Sequence, residues 1–239
     1  MEKEIDSKKI IVLKPLHSKE EVSAIANKKK TGLFGNVFSR PKEDEVEVTN
    51  IELFYETYWL LGGHYHGDYF RKNVYDVNTD YNVTEVIIGK GTFPVTSKSG
   101  TWDKFKKSIK VGEKENKLKI PVEEHVLLDV EEEIALNAAG KEIEFKYKIK
   151  PENLENFPED ILKQNESNIR KSTINEEEAI TNLVEILKQE KDEDVRMIKE
   201  KISINKLQEV FIPIFEARCL DSNNKVAVLR IDPYDLKVL

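Results

Sequence analysis

The strongest secondary-structure signal in the chain is VEVTNIELFYETYWLL, residues 46–61. This segment is rich in β-branched and aromatic residues, and its apolar and polar positions alternate. Such a composition with a period of two is typical of a β-strand that turns one face towards a core. Gly62 and Gly63 follow directly. We therefore predict a strand over residues 46–61 that breaks at the glycine pair.

Two helices are predicted from their first turns. Ser18 is followed three residues later by Glu21, and Asn175 is followed at the same distance by Glu178. In each pair the two side chains can accept the free backbone N–H groups of a helix start. Apolar residues then recur at helical spacing, namely Val22, Ile25 and Ala26 in the first helix and Ile180, Leu183, Val184 and Leu187 in the second.

Further strands are predicted from short apolar or alternating runs bounded by turn residues. They cover residues 9–13, 74–77, 83–88, 142–149, 207–217, 225–231 and 235–239. Pro213 cannot donate a backbone hydrogen bond, so we expect it at a sheet edge or a bulge. Residues 152–170 are predicted as a linker with one helical turn, and residues 190–201 as a helix end or a loop.

The two ends of the chain share an order of elements. Asn175 lies 157 residues after Ser18, and residues 210–215 lie 157 residues after 53–58. Residues 228–232 align with 74–78 at a shift of 154. We therefore predict an α+β protein of two related α-β-β units with antiparallel sheets and a β-rich charged middle segment. The predicted boundaries are an N-terminal α/β unit at 1–95, the middle segment at 96–150, a linker at 151–172 and a C-terminal unit at 173–239.

Charge and composition exclude two classes of protein. The 239 residues carry a formal net charge of −7, and 39% of them are hydrophobic. The apolar content excludes a wholly disordered chain, and the negative charge argues against a globally basic nucleic-acid binder. Residues 89–119 hold nine lysines against three acids, whereas 123–133 hold six acids and no base. These blocks either face one another across a hairpin or subunit contact, or are solvated faces.

The sequence also bears on the compartment. Cys219 is the only cysteine, so no internal disulfide can form. The first nine residues, MEKEIDSKK, contain no apolar segment of the kind found in signal peptides. No run approaches the ~18 consecutive apolar residues of a membrane span. We expect a soluble cytoplasmic protein without a membrane span and with a buried, inert thiol.

The C-terminal unit resembles PepSY-like domains. The resemblance is carried by the helix opening TINEEEA at 173–179, the strand FIPIFEAR at 211–218 and the ending VLRIDPYDLKVL at 228–239. Asp235 and Leu236 stand where that family has Thr-Gly. The resemblance covers about a quarter of the chain and extends loosely to the N-terminal half. It implies a binding or inhibitory module without catalytic residues.

One short motif suggests a metal site. His64, His66 and Asp68 are spaced two apart, so in an extended strand their side chains share one face. Two imidazoles and a carboxylate could bind zinc or iron and leave a position for water. The spacing is similar to the His-x-His-x-Asp motif of metallo-β-lactamase-like hydrolases, but Tyr69 follows where that motif continues with histidine. His17 and His125 are the other histidines that could complete the shell.

Other motifs exclude specific chemistries. Residues 89–92, Gly-Lys-Gly-Thr, lack the glycine that a phosphate-binding P-loop needs five residues earlier, because that position is Thr84. The segment from Tyr55 to Tyr75 is rich in aromatic residues that could stack on single-stranded nucleic acid. Aromatic strands are more often core, so we do not expect a nucleic-acid partner.

These observations predict a non-catalytic protein-binding or assembly module with no cofactor. The partner is expected to be a protein, and a homo-oligomer stays open. The alternative is a metal-dependent, zinc-loaded hydrolase built on His64, His66 and Asp68.

If His64, His66 and Asp68 bind zinc, adding zinc should raise the melting temperature, because a ligand bound only by the native state stabilises it. The His64→Ala variant should lose this rise. Thermal unfolding with zinc and with a chelator measures both proteins. If zinc leaves the melting temperature of both the wild type and the variant unchanged, the metal site is rejected.

Overall fold

The computed structural model describes residues 2–35, 40–80, 82–96, 116–188 and 195–239. These residues form an α+β fold dominated by β-structure, with nine strands and three α-helices. The strands are β1 (Glu2–Ile5), β2 (Lys9–Val12), β3 (Val46–Thr79), β4 (Glu85–Ile88), β5 (Gly91–Thr96), β6 (Asn116–Leu136), β7 (Ile169–Arg170), β8 (Val195–Asp221) and β9 (Val226–Ile231). The helices are α1 (Lys19–Lys29), α2 (Pro158–Gln164) and α3 (Glu176–Lys188).

The strands pair in the order β1-β8-β3-β6-β5-β4, while β2 and β9 also pair with β8 and β7 pairs with β3. The sheet is mixed, which corrects the expectation of antiparallel sheets. The β2–β8 pair is parallel, with Lys9 opposite Gln208, and so is the β7–β3 pair. The β8–β9 pair is antiparallel, with Phe215 opposite Ile231.

The chain divides into two compact units. Among the described residues, unit 1 contains Glu2, 66–80, 82–96, 116–129 and 195–201. Unit 2 contains 3–35, 40–65, 130–188 and 202–239. Strands β3, β6 and β8 each contribute residues to both units.

Unit 2 holds nearly all of the hydrophobic core. One cluster packs Val22 and Ala26 of α1 against Phe215 of β8 and Leu229 of β9. A second cluster joins Leu60 of β3 to the buried residues of β8, namely Val210, Ile212 and Ile214. A third groups Val12, Tyr55 and Phe211. Each helix that packs here buries one stripe, as the apolar spacing of α1 and α3 predicted.

Both predicted helix starts are confirmed. The Ser18 hydroxyl accepts the Glu21 N–H at 3.3 Å, and the Glu21 carboxylate accepts the Ser18 N–H at 2.8 Å. The same reciprocal pair joins Asn175 and Glu178, with both bonds at 2.9 Å. These bonds satisfy N–H groups that have no partner within the helix, which fixes where α1 and α3 begin.

The strand at 46–61 does not end at the glycine pair, because β3 continues through it to Thr79. Gly63 instead allows neighbouring elements to pack closely against β3. A Cβ placed on Gly63 would lie 2.9 Å from the Ser203 carbonyl oxygen, 3.1 Å from Cδ1 of Ile204 and 3.2 Å from Cδ1 of Leu187. Only glycine therefore allows β8 and α3 to approach β3 this closely.

Four segments differ from their predicted structure. Residues 142–149 form no ladder beyond an isolated bridge at Glu142, and 235–239 form only a bridge at Val238. The predicted linker at 151–172 contains α2 and two 3₁₀ turns. Residues 195–201 begin β8, while 190–194 lie outside the described residues. Exposed and half-buried residues alternate at 142–149, but strand pairing depends on neighbours that a local pattern does not name.

Side chains rather than a ladder attach the extended segment at 142–149. Its apolar side chains, Ile143, Phe145, Tyr147 and Ile149, alternate into the second core cluster. The Tyr147 hydroxyl donates to the buried Asp232 carboxylate at 2.9 Å, and the Lys146 ammonium lies 3.1 Å from the same oxygen. The Tyr234 N–H donates to the other oxygen of Asp232 at 2.9 Å.

Pro213 is buried within β8 rather than at an exposed edge. It lies between the residues that pair with β2, which end at Phe211, and those that pair with β9, which begin at Phe215. A residue without an N–H group is tolerated at such a gap between two ladders.

The proposed repeat matches the structure in two of its three elements. Each end has a capped helix followed by a long strand, β3 or β8, and these two strands are neighbours in the sheet. The third pair differs, since residues 74–78 belong to β3 itself whereas 228–231 lie on the separate strand β9. No helix in the described parts of the chain has the length and apolar content to cross a membrane.

We expect Gly63→Ala to lower the free energy of unfolding by about 1–3 kcal/mol, because the added methyl group overlaps the Ser203 carbonyl. Urea unfolding measures the change. Gly32→Ala is the matched control, since nothing lies within 4 Å of its Cβ position, and it should change stability by about 1 kcal/mol or less. Equal effects in the two variants would contradict the packing role of Gly63.

Candidate interaction surface

The predicted metal ligands lie on one face of β3. His64, His66 and Asp68 are half-buried and alternate with the buried residues Tyr65 and Gly67. Asp68 has a histidine partner from another strand, because its Oδ1 atom lies 2.7 Å from Nε2 of His125 on β6. In the described ranges, no group of three or more His, Cys, Asp or Glu side chains is arranged to hold a metal ion.

Unit 1 carries a ring stack that crosses three strands. The Phe70 ring of β3 stacks on the His125 ring of β6, with centroids 4.6 Å apart and planes inclined by 15°. The Arg196 guanidinium of β8 lies 4.5 Å from the Phe70 centroid. Cation–π contacts of this kind contribute about 0.5–1 kcal/mol at exposed sites. The stack therefore ties together β8, β3 and β6, which are consecutive in the sheet.

Ion pairs extend this stack at both ends. Asp68 pairs with His125, and Nη2 of Arg196 lies 3.3 Å from Oε1 of Glu123. Because side chains two residues apart share a strand face, Leu127 lies on the face of His125, and Ile198 lies on the face of Arg196. We name these seven residues the stack face: Asp68, Phe70, Glu123, His125, Leu127, Arg196 and Ile198.

A second polar cluster lies on the opposite face of unit 1, around Glu124. Its carboxylate accepts hydrogen bonds from Nε of Arg71 at 2.7 Å, from Nδ2 of Asn73 at 3.1 Å and from the Tyr75 hydroxyl. These donors, with Tyr75 first, hold the pKa of Glu124 at about 2, well below its ordinary 4.5. The same contact raises the pKa of Tyr75. Three donors from alternate residues of β3 thus converge on one carboxylate of β6.

Unit 1 exposes much apolar surface for its size. Among its described residues only Leu118 is a buried apolar side chain. Unit 1 nevertheless holds seven of the fifteen exposed large hydrophobic residues: Val74, Tyr75, Val77, Ile87, Ile88, Leu127 and Ile198. Leu127 and Ile198 on the stack face are 68% and 54% exposed.

The segment Gly-Lys-Gly-Thr at 89–92 belongs to a β-hairpin. Strands β4 and β5 pair antiparallel, with Ile88 opposite Gly91, so Gly89 and Lys90 form the two-residue turn. Gly89 has a φ of +59°, which glycine adopts without strain, at the first central position of the turn. The exclusion of a P-loop from the sequence therefore agrees with a turn at this place.

Five of the six acids in the acidic block are exposed, which agrees with the prediction of a solvated face. The acidic block lies on β6, where Glu123 pairs with Arg196, Glu124 with Arg71, and Glu133 with Lys206 at 2.5 Å. Its described cationic partners thus come from β3 and β8 rather than from the basic block. Residues 97–115 of the basic block lie outside the described residues.

The remaining candidates lie in the core. Tyr55, Trp59 and Tyr65 of the aromatic segment are 1–3% exposed, which agrees with a core role for them. Cys219 is fully buried, as predicted, and burial raises the pKa of its thiol.

Of the partners of Asp68 and Phe70, the sequence named His125 only as a possible further metal ligand, and it did not predict Arg196. His125 and Arg196 lie 57 and 126 residues away along the chain from them. The only available signal was the alternation of polar and apolar residues along 117–130, which indicates a strand but not its neighbours.

Comparison of the chain with family models, with curated proteins and with solved structures gave no match.

Glu124→Gln should accelerate amide hydrogen exchange at residues 71–75 at neutral pH. The folded-state pKa of Glu124 is depressed, so its ionised form stabilises unit 1 above pH 4.5, and this contribution is lost as the pH falls towards about 2. The exchange difference between variant and wild type should therefore shrink over that window.

Hydrogen exchange followed by mass spectrometry, corrected for the intrinsic rate at each pH, measures this difference. Glu132→Gln is the matched control, because Glu132 is an exposed residue of the same strand. No difference at neutral pH would show that Glu124 does not stabilise β3, and a difference that persists undiminished near pH 2 would show that its charge is not the cause.

Proposed function

We propose that the chain is a non-catalytic protein-binding or assembly module, and that its binding surface is the stack face of unit 1. The observation that carries this proposal is the imbalance, in the described part of unit 1, between a single buried apolar side chain and seven exposed ones. A sheet that buries so little apolar surface gains stability when a partner covers it.

The polar groups of unit 1 support binding rather than catalysis. The Asp68 and Glu124 carboxylates each contact a basic side chain on a neighbouring strand, and Glu123 of β6 contacts Arg196 of β8 across β3. Such pairs hold the strands in register and orient the exposed side chains between them. Leu127 and Ile198 flank His125 and Arg196 at a spacing of two residues, so they present apolar surface beside an ordered polar stack.

Two further proposals accompany the binding module. The two ends of the chain are related PepSY-like units, which is supported by the capped helix and long strand that they share. The protein acts in the cytoplasm without a cofactor.

The competing metal-dependent hydrolase requires His64 and His66 to bind zinc while Asp68 also contacts His125. Elemental analysis of the purified protein tests that alternative, since stoichiometric zinc, iron or manganese would support it.

The double variant Leu127→Lys/Ile198→Lys should lose the partner, because burying two ammonium groups in an apolar contact is unfavourable. Affinity purification from the host extract with quantitative mass spectrometry measures the recovered partner. We expect one protein in constant ratio with the wild type and a loss of about tenfold or more with the variant. Sedimentation analysis over a concentration series tests self-association in the same proteins.

The matched control is Val226→Lys/Val228→Lys in unit 2, because both valines are 49% exposed on β9. This control should retain the partner. If the two double variants recover equal amounts of the partner, the binding surface does not lie on unit 1. A wild-type chain that stays monomeric and recovers no constant partner would reject the binding module.

A further inference from the structure

The β4–β5 hairpin is attached to the rest of unit 1 by a short ladder. Among the described residues, strand β5 pairs with β6 at Val95 opposite Leu118 and at Thr96 opposite Lys117. Pro94 has no N–H group, which explains why the ladder goes no further along β5. Within the described residues, β4 has β5 as its one partner, so the other side of β4 is a sheet edge.

The register identifies the backbone groups that face this edge. The Val95 N–H donates to the Thr84 carbonyl at 3.0 Å, so this pair is hydrogen-bonded. Hydrogen-bonded and non-hydrogen-bonded pairs alternate in an antiparallel ladder. The pairs of Val86 and Ile88 are therefore bonded within the hairpin, whereas the N–H and C=O groups of Glu85 and Ile87 point towards the edge.

The two edges of the hairpin are protected differently. On β5, Pro94 blocks strand addition, as proline commonly does at sheet edges. On β4 the sequence is Glu-Val-Ile-Ile, with no proline and no lysine. Ile87 is 69% exposed and Ile88 is 46% exposed. The β4 edge thus combines four outward backbone groups with exposed aliphatic side chains, an arrangement that a segment in extended conformation can pair with in register.

We propose that the β4 edge binds an extended segment of a partner protein as an added antiparallel strand. The segment places an aliphatic side chain opposite Ile87 and a lysine or arginine opposite Glu85. This inference rests on the proposed function and specifies the chemistry of the partner. Antiparallel addition exchanges both backbone bonds at Glu85 and at Ile87. The cross-strand pairs at these two positions provide selectivity.

Charge argues against a second copy of this chain as the occupant. In an antiparallel pair of β4 edges, outward residues must lie opposite outward residues. Glu85 of one copy would then face Ile87, Gly89 or another Glu85 of the second copy. None of these carries a positive charge, whereas a basic residue of a different protein neutralises Glu85.

A synthetic peptide tests the proposal on the full-length protein. The probe is fluorescein-Thr-Thr-Ile-Val-Lys-Thr-Lys-amide, in which Ile-Val-Lys lies opposite Ile87, Val86 and Glu85. Fluorescence anisotropy measures its binding. Ile87→Pro should weaken binding about tenfold or more, because it removes one outward N–H without breaking a β4–β5 bond. Ile87→Thr retains the N–H group and is the matched control.

Two further comparisons guard against a misfolded variant. Methylation of the peptide nitrogens at Ile and the first Lys should abolish binding to the wild type, while methylation at Val should preserve it. Glu85→Lys should reverse the preference, so that a peptide with glutamate in place of the first lysine binds better. If peptide binding depends neither on which nitrogens are methylated nor on the exchange of charge between Glu85 and the peptide, the proposal is overturned.

The outcomes also separate this inference from the proposed function. If no peptide binds, yet Leu127→Lys/Ile198→Lys still loses the cellular partner, strand addition is rejected and the binding module stands. A concentration-dependent dimer that Ile87→Pro abolishes would assign the edge to a second copy and overturn the inference.

Discussion

The close approach of β3, β8 and α3 at Gly63 is the constraint on which the rest of the structure depends. The Ser203 carbonyl oxygen, Ile204 and Leu187 all lie 2.9–3.2 Å from the position that the Cβ of any other residue would take. This contact sets β3 against β8 at one position, and alternation along the strand then determines the face of every later side chain. A slip of one residue would move Phe70 to the opposite face and exchange it with Arg71.

Unit 1 is organised by polar and aromatic contacts between strands. The Arg196–Phe70–His125 stack lies on one face, and the donors around Glu124 lie on the other. Each of these contacts contributes little to the stability of the fold, and together they cover little apolar surface. The exposed aliphatic side chains are the consequence, and they are also what a protein partner would recognise. The use of polar contacts to hold the strands of unit 1 together therefore also leaves its aliphatic side chains exposed to a partner.

The candidate surface was only partly predictable. Strand spacing alone placed His64, His66 and Asp68 on one face, and the structure has that alternation. His125, which the sequence offered only as one of two further metal ligands, lies 57 residues after Asp68 and contacts its carboxylate, whereas its stacking on Phe70 was not predicted. Likewise the acidic block was visible, but its pairing with Arg71, Arg196 and Lys206 was not. Each missing contact joins strands that are distant in sequence.

Local chemistry alone determined the helix starts at Ser18 and Asn175, the extended character of 46–61 and 207–217, and the turn at 89–90. In each, the deciding interactions lie within a few residues, so the sequence contains both partners. The passage of β3 through Gly62 and Gly63, the mixed sheet order and the absence of a ladder at 142–149 depended on tertiary structure. Those features follow from which strands become neighbours, and that choice depends on burial summed over the whole chain.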